Sequence, residues 1–304
     1  MNADAWFFRA GQLADGPWQT IVDESLPGWR HTGLRIADIA PGQELRLDAE
    51  SRERIVVPLS GSFTVDHGQD GVTRRTLLAG RESVFDGPTD VLYLPTRSVV
   101  AIIGPGRVAI AEAPTEDVHP SRHISRTEVP VELRGADRSS RQVHNFGVPG
   151  VLDAGGLIVC EVITPAGNWS SFPAHKHDTA VAGQETELEE IYYFETALAR
   201  DAAASAPATE SAQPFGLFTV STSPAGEIEL TARVQSGDVV LVPFGYHGPA
   251  VAPPGYDLYY LNVMVGPERS WLISDDPGQS WIRTTWIDQE IDPRLPLGRE
   301  GHLR

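Results

Sequence analysis

The sequence predicts an all-β protein made of two similar halves. Proline and glycine are frequent, with 24 and 29 copies, and they recur between short runs of valine, isoleucine, leucine and tyrosine. This spacing is typical of short strands joined by turns in an antiparallel sandwich or barrel. Apolar residues with the 3.6-residue period of an amphipathic helix are hard to find. A length of 304 residues suits two domains, which we place at residues 1–115 and 116–304.

Each predicted strand is a short apolar run bounded by turn residues. A proline-containing stretch, 113–130, is the predicted connector between the halves. The Ala- and Ser-rich stretch 196–214 is predicted as a long surface loop, with a helical start left open. The predicted strands are 33–39, 54–59, 62–65, 91–94 and 107–112 in the first half, and 157–163, 170–177, 190–194, 215–220, 239–242 and 257–265 in the second.

A His-x-His pair carries the clearest chemistry. His175 and His177 are two residues apart, so on a strand their side chains point to the same face. Glu190 precedes the apolar run IYYF, and His247 ends the run VVLVPFGYH. Three imidazoles and one carboxylate offered from strands form a ligand set for a borderline divalent ion. We predict one ion per chain, with Zn, Mn, Fe and Ni left open.

The two halves echo each other in sequence. ERIVVPLSG at 53–61 aligns by eye with EEIYYFETA at 189–197, and DVLYLPTRSV at 90–99 aligns with DVVLVPFGYH at 238–247. These alignments place Arg54 opposite Glu190 and Val99 opposite His247, and the first half has no His-x-His. We therefore expect a duplication in which only the second copy binds metal.

Composition restricts the partners. The formal net charge of −17 argues against nucleic acid, which requires a basic surface, and means that an anionic substrate needs a local cationic pocket. No apolar run approaches the roughly 20 residues of a membrane span, and the first residues lack a secretory signal pattern. The single cysteine, Cys160, fits a reducing compartment. We expect a cytoplasmic protein with no nucleic acid or membrane partner.

The motifs resemble a known family. His-x-His, a glutamate before an apolar strand, and Gly-x5-Pro-x-Gly-x-His resemble the two motifs of the cupins. The long gap from His177 to Glu190, and the single residue between Gly245 and His247, resemble the 5-deoxy-glucuronate isomerases of bacterial inositol catabolism. The resemblance covers nearly the whole chain, through RQVHN, EVITPAGNWSSFPAHKHD, LEEIYYF, GDVVLVPFGYH and GYDLYYLNVMVGPERSW, and in the first half through PLSGSFTV and SVFDGPTDVLYLP.

This resemblance implies two cupin jelly-roll barrels in one chain and a metal-dependent aldose–ketose isomerase. The implied reaction converts 5-deoxy-D-glucuronate, a small anionic sugar acid, to 5-dehydro-2-deoxy-D-gluconate in myo-inositol catabolism. A homo-oligomer is expected, because association can cover sheet edges and apolar sheet faces. Three alternatives stay open: an isomerase of the related 5-keto-4-deoxyuronate type, a metal-dependent cupin dioxygenase, and a non-catalytic sugar-acid binder. The chain has no dinucleotide fingerprint or Walker loop, so no nicotinamide or ATP is expected.

Isomerisation also requires a general acid or base. The candidates in phase with the barrel interior are Glu161, Tyr192, Tyr260 and Asn262. Lys176, the single lysine, is a further candidate, although strand alternation points it away from the two histidines that flank it.

Binding a sugar acid requires a cation for its carboxylate, and the planar fork of arginine suits that group. Arg141 and Arg269 lie in the family-like stretches and are the candidates for this role.

Overall fold

The computed structural model describes residues 3–69, 71–200, 202 and 213–298, and this part of the chain is almost entirely β. The all-β prediction is confirmed. The predicted loop lies largely outside the described residues, and its start continues a strand to Leu198 instead of forming a helix. The helical segments described are one short α-helix, α1 (Ile282–Thr285), and 3-10 turns at Ala3–Trp6, Val84–Asp86, Asp137–Ser139 and Trp286–Asp288.

Each predicted apolar run overlaps a strand, but 54–59 and 62–65 form one strand, Arg52–Gln69, and 170–177 is divided between Trp169–Ser170 and His175–Lys176. Those of the first half are β1 (Phe7–Phe8), β2 (Thr20–Val22), β3 (Gly33–Ile39), β4 (Glu44–Leu47), β5 (Arg52–Gln69), β6 (Val72–Arg81), β7 (Val91–Leu94), β8 (Val99–Ile103), β9 (Gly106–Pro114) and β10 (Arg122–Ile124). Those of the second are β11 (Val131–Arg134), β12 (Arg141–Gly147), β13 (Ile158–Thr164), β14 (Trp169–Ser170), β15 (His175–Lys176), β16 (Glu189–Leu198), β17 (Gly216–Ser221), β18 (Leu230–Val234), β19 (Val239–Val242), β20 (Tyr246–Val251), β21 (Tyr256–Val265) and β22 (Ser274–Asp275).

The long strand β5 organises the first half. Its first part pairs with β7 and β9, and its last part pairs with β6 and β8, so one strand serves both walls of the barrel. The change of direction occurs near Gly61, where the register shifts. Gly61 has φ +85°, and a Cβ there would lie 2.1 Å from the carbonyl oxygen of Pro105, so only glycine fits this crossing. Buried apolar side chains such as Val56, Phe63 and Ile110 fill the interior.

Two sheets face each other in the second half. One has the strand order β1-β19-β16-β21-β13-β12-β11, and the other has the order β18-β17-β20-β15-β22, with β14 paired to β20. Aromatic side chains from both sheets fill the space between them, with the rings of Tyr192 and Phe218 centred 4.5 Å apart. The functional residues predicted from the sequence lie mainly on β15, β16, β20 and β21, at one end of this sandwich.

The division between the halves differs from the predicted boundary at 115/116 in two places. Strand β1 pairs with β19 of the second half, and β10 pairs with β7 of the first. Strand β1 thereby covers the β19 edge of that sheet, where the backbone groups of β19 would otherwise be exposed. One apolar core cluster runs through both halves, so the two barrels are packed together.

Candidate metal centre

The structure brings the four predicted ligands together. His175 on β15 and His247 on β20 are cross-strand neighbours, and their rings are centred 4.5 Å apart. His177 follows β15, and one ligand atom from each of the three histidines lies within 4.8 Å of the others. Glu190 approaches from β16 in the facing sheet, with Oε2 3.1 Å from Nε2 of both His177 and His247.

Backbone carbonyls fix which ring nitrogens face the centre. Nδ1 of His177 lies 3.1 Å from the carbonyl oxygen of Leu188, and Nδ1 of His247 lies 3.0 Å from that of Gly245. A carbonyl oxygen only accepts, so in both rings Nδ1 carries a hydrogen and Nε2 faces the centre. A metal ligand must offer Nε2 as a lone pair. Those lone pairs then oppose the carboxylate of Glu190, which is an acceptor too. Nε2 of His247 is buried and makes no hydrogen bond. A cation between these atoms resolves the opposition, so the residues fit a metal ion.

The charge states also suit a cation. Burial, together with His247 and His177, lowers the pKa of His175 well below its usual value, so this imidazole is neutral. Burial acts to raise the pKa of Glu190, but the imidazoles of His177 and His247, each 3.1 Å from its Oε2, outweigh burial and lower the pKa to about 2. The pKa of His177 is raised, because its bond to Glu190 outweighs its burial. Because a ligand imidazole must be neutral, protonation of His177 competes with a divalent ion for this site.

Lys176 ties down the long segment between the second and third ligands. Its Nζ donates to Asp178 Oδ1 and to Glu185 Oε1, each at 2.7 Å. The same oxygen of Glu185 accepts the backbone N–H groups of Asp178 and Thr179, at 3.0 and 3.1 Å. Lys176 points away from the histidines, as alternation predicts. This location explains Lys176 as a structural cation and does not support the catalytic candidacy drawn from its rarity.

A cavity opens beside His175. Its outer part has a volume of about 380 Å³. Arg134, Arg141, His175 and Trp271 line both its inner and its outer part. The inner part also contains Glu190, Tyr192, Tyr260 and Asn262, with Cys160 and Val162, and the outer part contains Ile273, Asp275 and Arg283.

Arg141 gives this cavity an unmatched positive charge. The side chain is buried, and its Nη1 donates to the carbonyl oxygen of Ser139 at 3.1 Å, but no carboxylate of the described residues forms an ion pair with it. Arg134 and Arg283, in contrast, are each held by a carboxylate, Glu132 and Asp275 respectively, through two hydrogen bonds. Burial lowers the pKa of Arg141 to about 10, with the two other arginines adding repulsion, so the group stays protonated at neutral pH.

Arg269, the other candidate for the substrate carboxylate, does not line the cavity. Its Nε donates to the carbonyl oxygen of Leu157 at 2.8 Å, and its Nη2 donates to that of Gly147 at 3.1 Å. These bonds hold the turn before β13 against the segment after β21. The structure therefore does not support Arg269 as a ligand of the substrate carboxylate, because a family-like stretch does not reveal which way a side chain points.

Glu161 was also expected in the barrel interior, and it faces the opposite way. Its carboxylate accepts two hydrogen bonds from Arg81, each 2.7 Å long, one from Tyr259 at 2.8 Å, and lies 2.6 Å from Nδ1 of His144. Arg81 belongs to the first half, so this buried network joins the two halves. The neighbours Cys160 and Val162 take the cavity face instead. The expected phase of β13 was off by one residue.

Tyr192 and Tyr260 do line the cavity, and Ser171 links them. Its Oγ lies 3.1 Å from the hydroxyl of Tyr260 and 3.4 Å from that of Tyr192. Ser171 adopts φ +45°, and a Cβ on Gly248 would lie 1.9 Å from the Ser171 carbonyl oxygen, so glycine is required at position 248. Burial raises the pKa of both tyrosines, so their phenols carry protons at neutral pH.

Several cavity residues escaped the sequence analysis. Trp271 ends the family-like stretch GYDLYYLNVMVGPERSW, so the resemblance held a signal for it. Ser171 likewise lies inside EVITPAGNWSSFPAHKHD. Arg134 and Arg283 reach the cavity from β11 and α1, far apart in sequence, and no local pattern marks them.

A larger cavity, of about 990 Å³, lies where the two halves meet. Arg81 and Gln142 line it, but both are satisfied within the protein: Arg81 binds Glu161 and two carbonyl oxygens, and Gln142 pairs with the backbone of Leu297. We assign it no chemistry.

Comparison with known proteins shows the family of this chain. A family model described as the KduI/IolB family matches residues 6–282. The chain belongs to the KduI/IolB family. Its relatives include the 5-deoxy-glucuronate isomerase of Geobacillus kaustophilus, 38% identical over 265 residues that cover 86% of this chain and 89% of that protein. The enzyme of the same name from Bacillus subtilis strain 168 is 35% identical over 82% of this chain and 86% of that protein. The member of the family described here is thus an isomerase.

Solved structures give the same picture of the fold. An IolB-like protein from Salmonella typhimurium LT2 superposes with a TM-score of 0.79 at 34% identity, covering 91% of this chain and 98% of that one. The oxalate decarboxylase of Lactobacillus farciminis superposes with a TM-score of 0.60 at 11% identity, covering 89% and 88%. This second likeness concerns the fold alone, and it agrees with two cupin barrels in one chain. No helix of the described residues is both long and apolar enough to cross a membrane.

Proposed function

We propose that the protein is a metal-dependent aldose–ketose isomerase that converts 5-deoxy-D-glucuronate to 5-dehydro-2-deoxy-D-gluconate in myo-inositol catabolism. One observation carries the proposal: a cluster of three histidines and a glutamate shares a cavity with Arg141, a buried arginine that no carboxylate of the described residues pairs with. The curated relatives at 35–38% identity carry the name of this activity.

His175, His177, Glu190 and His247 would hold one divalent ion. When bound, such an ion acts as a Lewis acid that stabilises negative charge on neighbouring carbonyl and hydroxyl oxygens. The protein holds the ligands ready for this role, because backbone carbonyls orient His177 and His247 through Nδ1.

Arg141 binds the carboxylate of the sugar acid. The guanidinium lines the same cavity as His175 and Glu190, so one end of an extended six-carbon acid reaches Arg141 while the other reaches the ligand cluster. Arg134 and Arg283 keep their own carboxylates and add positive potential at the mouth. This arrangement gives an acidic protein a local site for an anion.

Proton transfer is assigned to Tyr260. The reaction takes a proton from the carbon beside the aldehyde and returns one to the aldehyde carbon, so a side chain must hold and release a proton in the cavity. The phenol of Tyr260 carries its proton at neutral pH, and Ser171, 3.1 Å away, links it to Tyr192. Tyr260 gives its proton to the aldehyde oxygen, and its phenolate, which the positive charge of Arg141 favours, takes the proton from the neighbouring carbon. The phenol then gives that proton to the aldehyde carbon, and its phenolate recovers one from the neighbouring hydroxyl, so Tyr260 ends as it began.

A homo-oligomer is part of the proposal. Strand β6 pairs with β5 alone among the described strands, which leaves an edge open, and Val72 and Leu77 on it are exposed. A second copy of the chain can cover this edge. Light scattering tests this, because a monomer has a mass of 33.0 kDa; a clean monomer at micromolar concentration removes the oligomer from the proposal.

The deciding experiment for the reaction is anaerobic. Metal-loaded protein is incubated with the aldose acid, and the ketose acid is followed by NMR, with chelator-treated protein as the control. Conversion that depends on metal and needs neither oxygen nor NAD supports the isomerase. Conversion only after oxygen is admitted indicates a dioxygenase, and tight binding without turnover indicates a sugar-acid binder. Turnover of a 5-keto-4-deoxyuronate in place of the aldose acid assigns the related activity.

A further inference from the structure

Two hydrogen-bond donors in the cavity have no partner within the protein. Nδ2 of Asn262 and Nε1 of Trp271 are both buried, and neither makes a hydrogen bond to any described residue. Asn262 is 4% exposed as a whole residue. Buried donors are nearly always satisfied in native proteins, because losing water without gaining a partner is unfavourable. Two of them in one small cavity therefore require an explanation.

The positions of these donors point to a ligand. Asn262 lies on β21 opposite Tyr192 of β16 and Cys160 of β13, on the cavity face that Tyr260 shares. Trp271 lines both the inner and the outer part of the cavity, and the guanidinium of Arg134 packs over its ring at 5.6 Å. Asn262 is therefore at the inner end with the metal ligands, whereas Trp271 lies along the path toward Arg283.

The other groups in the cavity already have roles that use charge. Arg141 offers a cation, and the histidine cluster with Glu190 offers a metal site. Neither distinguishes a polyhydroxylated acid from a plain carboxylic acid of the same length. A neutral N–H donor does, because a hydroxyl oxygen accepts its hydrogen bond and a methylene group cannot.

We propose that the amide of Asn262 and the indole N–H of Trp271 bind hydroxyl oxygens of the substrate and so set the specificity of the site for hydroxylated acids. This inference rests on the proposed function for the sugar-acid substrate. It assigns to each donor an acceptor that lies between the carboxylate and the carbonyl end of the chain.

The test compares two six-carbon acids that differ in hydroxyl groups, D-gluconate and hexanoate, in calorimetric titrations of the metal-loaded protein. Trp271→Phe removes the N–H and keeps an aromatic ring, and Asn262→Leu keeps the size and removes the amide. Each variant should bind gluconate about tenfold more weakly, the value of one hydrogen bond, and should bind hexanoate as the unchanged protein does. Trp6→Phe is the matched control, because Nε1 of Trp6 is also buried without a partner but lies outside the cavity; it should change neither affinity.

Equal weakening of both acids would overturn the proposal, since it would show that these side chains only shape the cavity. Unchanged gluconate affinity would overturn it as well, and would mean that bound water satisfies the donors. Thermal unfolding and metal content identify any variant that has failed to fold. A protein that prefers gluconate through these residues but does not isomerise the aldose acid would refute the proposed function and leave this inference standing. Turnover with unchanged selectivity in both variants would do the reverse.

Discussion

Glu53 and Glu189 join the two halves through equivalent contacts: the carboxylate of each binds backbone N–H groups of the other half. The carboxylate of Glu53, in the first half, accepts the backbone N–H groups of residues 155–157 at 2.6–2.8 Å. The carboxylate of Glu189, in the second half, accepts those of residues 30–32 at 2.5–3.2 Å. The two glutamates are aligned by the internal repeat in the sequence. Such reciprocal contacts are expected when a barrel is duplicated and the two copies pack against each other. They support the division into two domains.

The residues that follow these glutamates, Arg54 and Glu190, differ in charge, and this difference indicates different functions for the two halves. Arg54 stands where Glu190 stands in the second half. Its guanidinium donates to Glu112 at 2.7 Å and to the carbonyl oxygens of Asp48 and Ser98 at 3.0 and 3.1 Å. A permanent cation thus lies in the first barrel at the place where the second barrel has Glu190 beside its three histidines. We propose that the first half serves as a scaffold.

Replacing Glu53 or Glu189 by glutamine should destabilise the protein. The amide retains one acceptor oxygen but turns its own N–H groups toward backbone donors, so Glu53→Gln and Glu189→Gln should each lower the free energy of unfolding by about 1–3 kcal/mol. Denaturant unfolding measures this. Glu44→Gln is the control, because Glu44 is exposed and pairs only with the exposed Arg46. If Glu53→Gln and Glu189→Gln lower the free energy of unfolding no more than the control does, these contacts do not hold the halves together.

Strand periodicity accounts for most of what the sequence predicted about the site. Alternation puts His175 and His177 on one face and Tyr192 in phase with Glu190, and the structure has both arrangements. Alternation alone does not give the absolute phase of a strand that is buried on both faces. Every residue of β13 is buried, so hydrophobicity could not show that Cys160 faces the cavity and Glu161 the other half.

The site residues that the sequence did not predict are distant in sequence and meet only in the folded chain. Arg134 and Arg283 meet Arg141 in one cavity, although about 150 residues separate the first two, and only the pairing of β15 with β22 brings the last segment to the site. Arg269 shows the opposite error, since its sequence context resembled the family while its side chain binds backbone carbonyls elsewhere.

Removing two of the predicted ligands should abolish metal binding. The double variant His175→Ala/His247→Ala loses two of three imidazoles, and its turnover should fall by roughly 1,000-fold or more, because a bound ion contributes several kcal/mol to such reactions. Elemental analysis of the purified protein gives the metal content. His123→Ala, an exposed histidine of the first half, is the matched control. Full metal content in the double variant would show that the ion binds elsewhere.

Arg141 and Arg269 should separate into a binding residue and a structural one. Arg141→Met should raise KM for the sugar acid about 100-fold, the range for truncating one partner of a buried charge pair, with a smaller change in kcat. Arg269→Met should leave KM unchanged and lower the unfolding temperature, because the carbonyl groups of Leu157 and Gly147 lose their donors. A KM effect in Arg269→Met alone would reverse this assignment.

Lys176 should matter for the integrity of the metal centre, not for chemistry. Lys176→Met leaves the carboxylates of Asp178 and Glu185 without their shared cation, which for a buried pair costs about 3 kcal/mol. The segment between His177 and Glu190 should loosen, and metal affinity should fall with stability. Arg75→Met, which breaks the exposed pair with Asp66, is the control. If excess metal restores the full kcat of Lys176→Met, the lysine is structural. If kcat stays low in excess metal, Lys176 takes part in catalysis and this prediction fails.

Tyr260 should carry the proton-transfer step. Tyr260→Phe removes only the hydroxyl, so kcat should fall by about 100-fold or more while metal content and KM stay close to those of the unchanged protein. Tyr192→Phe should have a smaller effect, because Tyr192 reaches the same Ser171 at 3.4 Å instead of 3.1 Å. The phenol of Tyr193 points to the opposite face and donates to Glu195 at 2.6 Å, so Tyr193→Phe is the matched control. An unchanged kcat in Tyr260→Phe would assign the transfer to another group in the cavity.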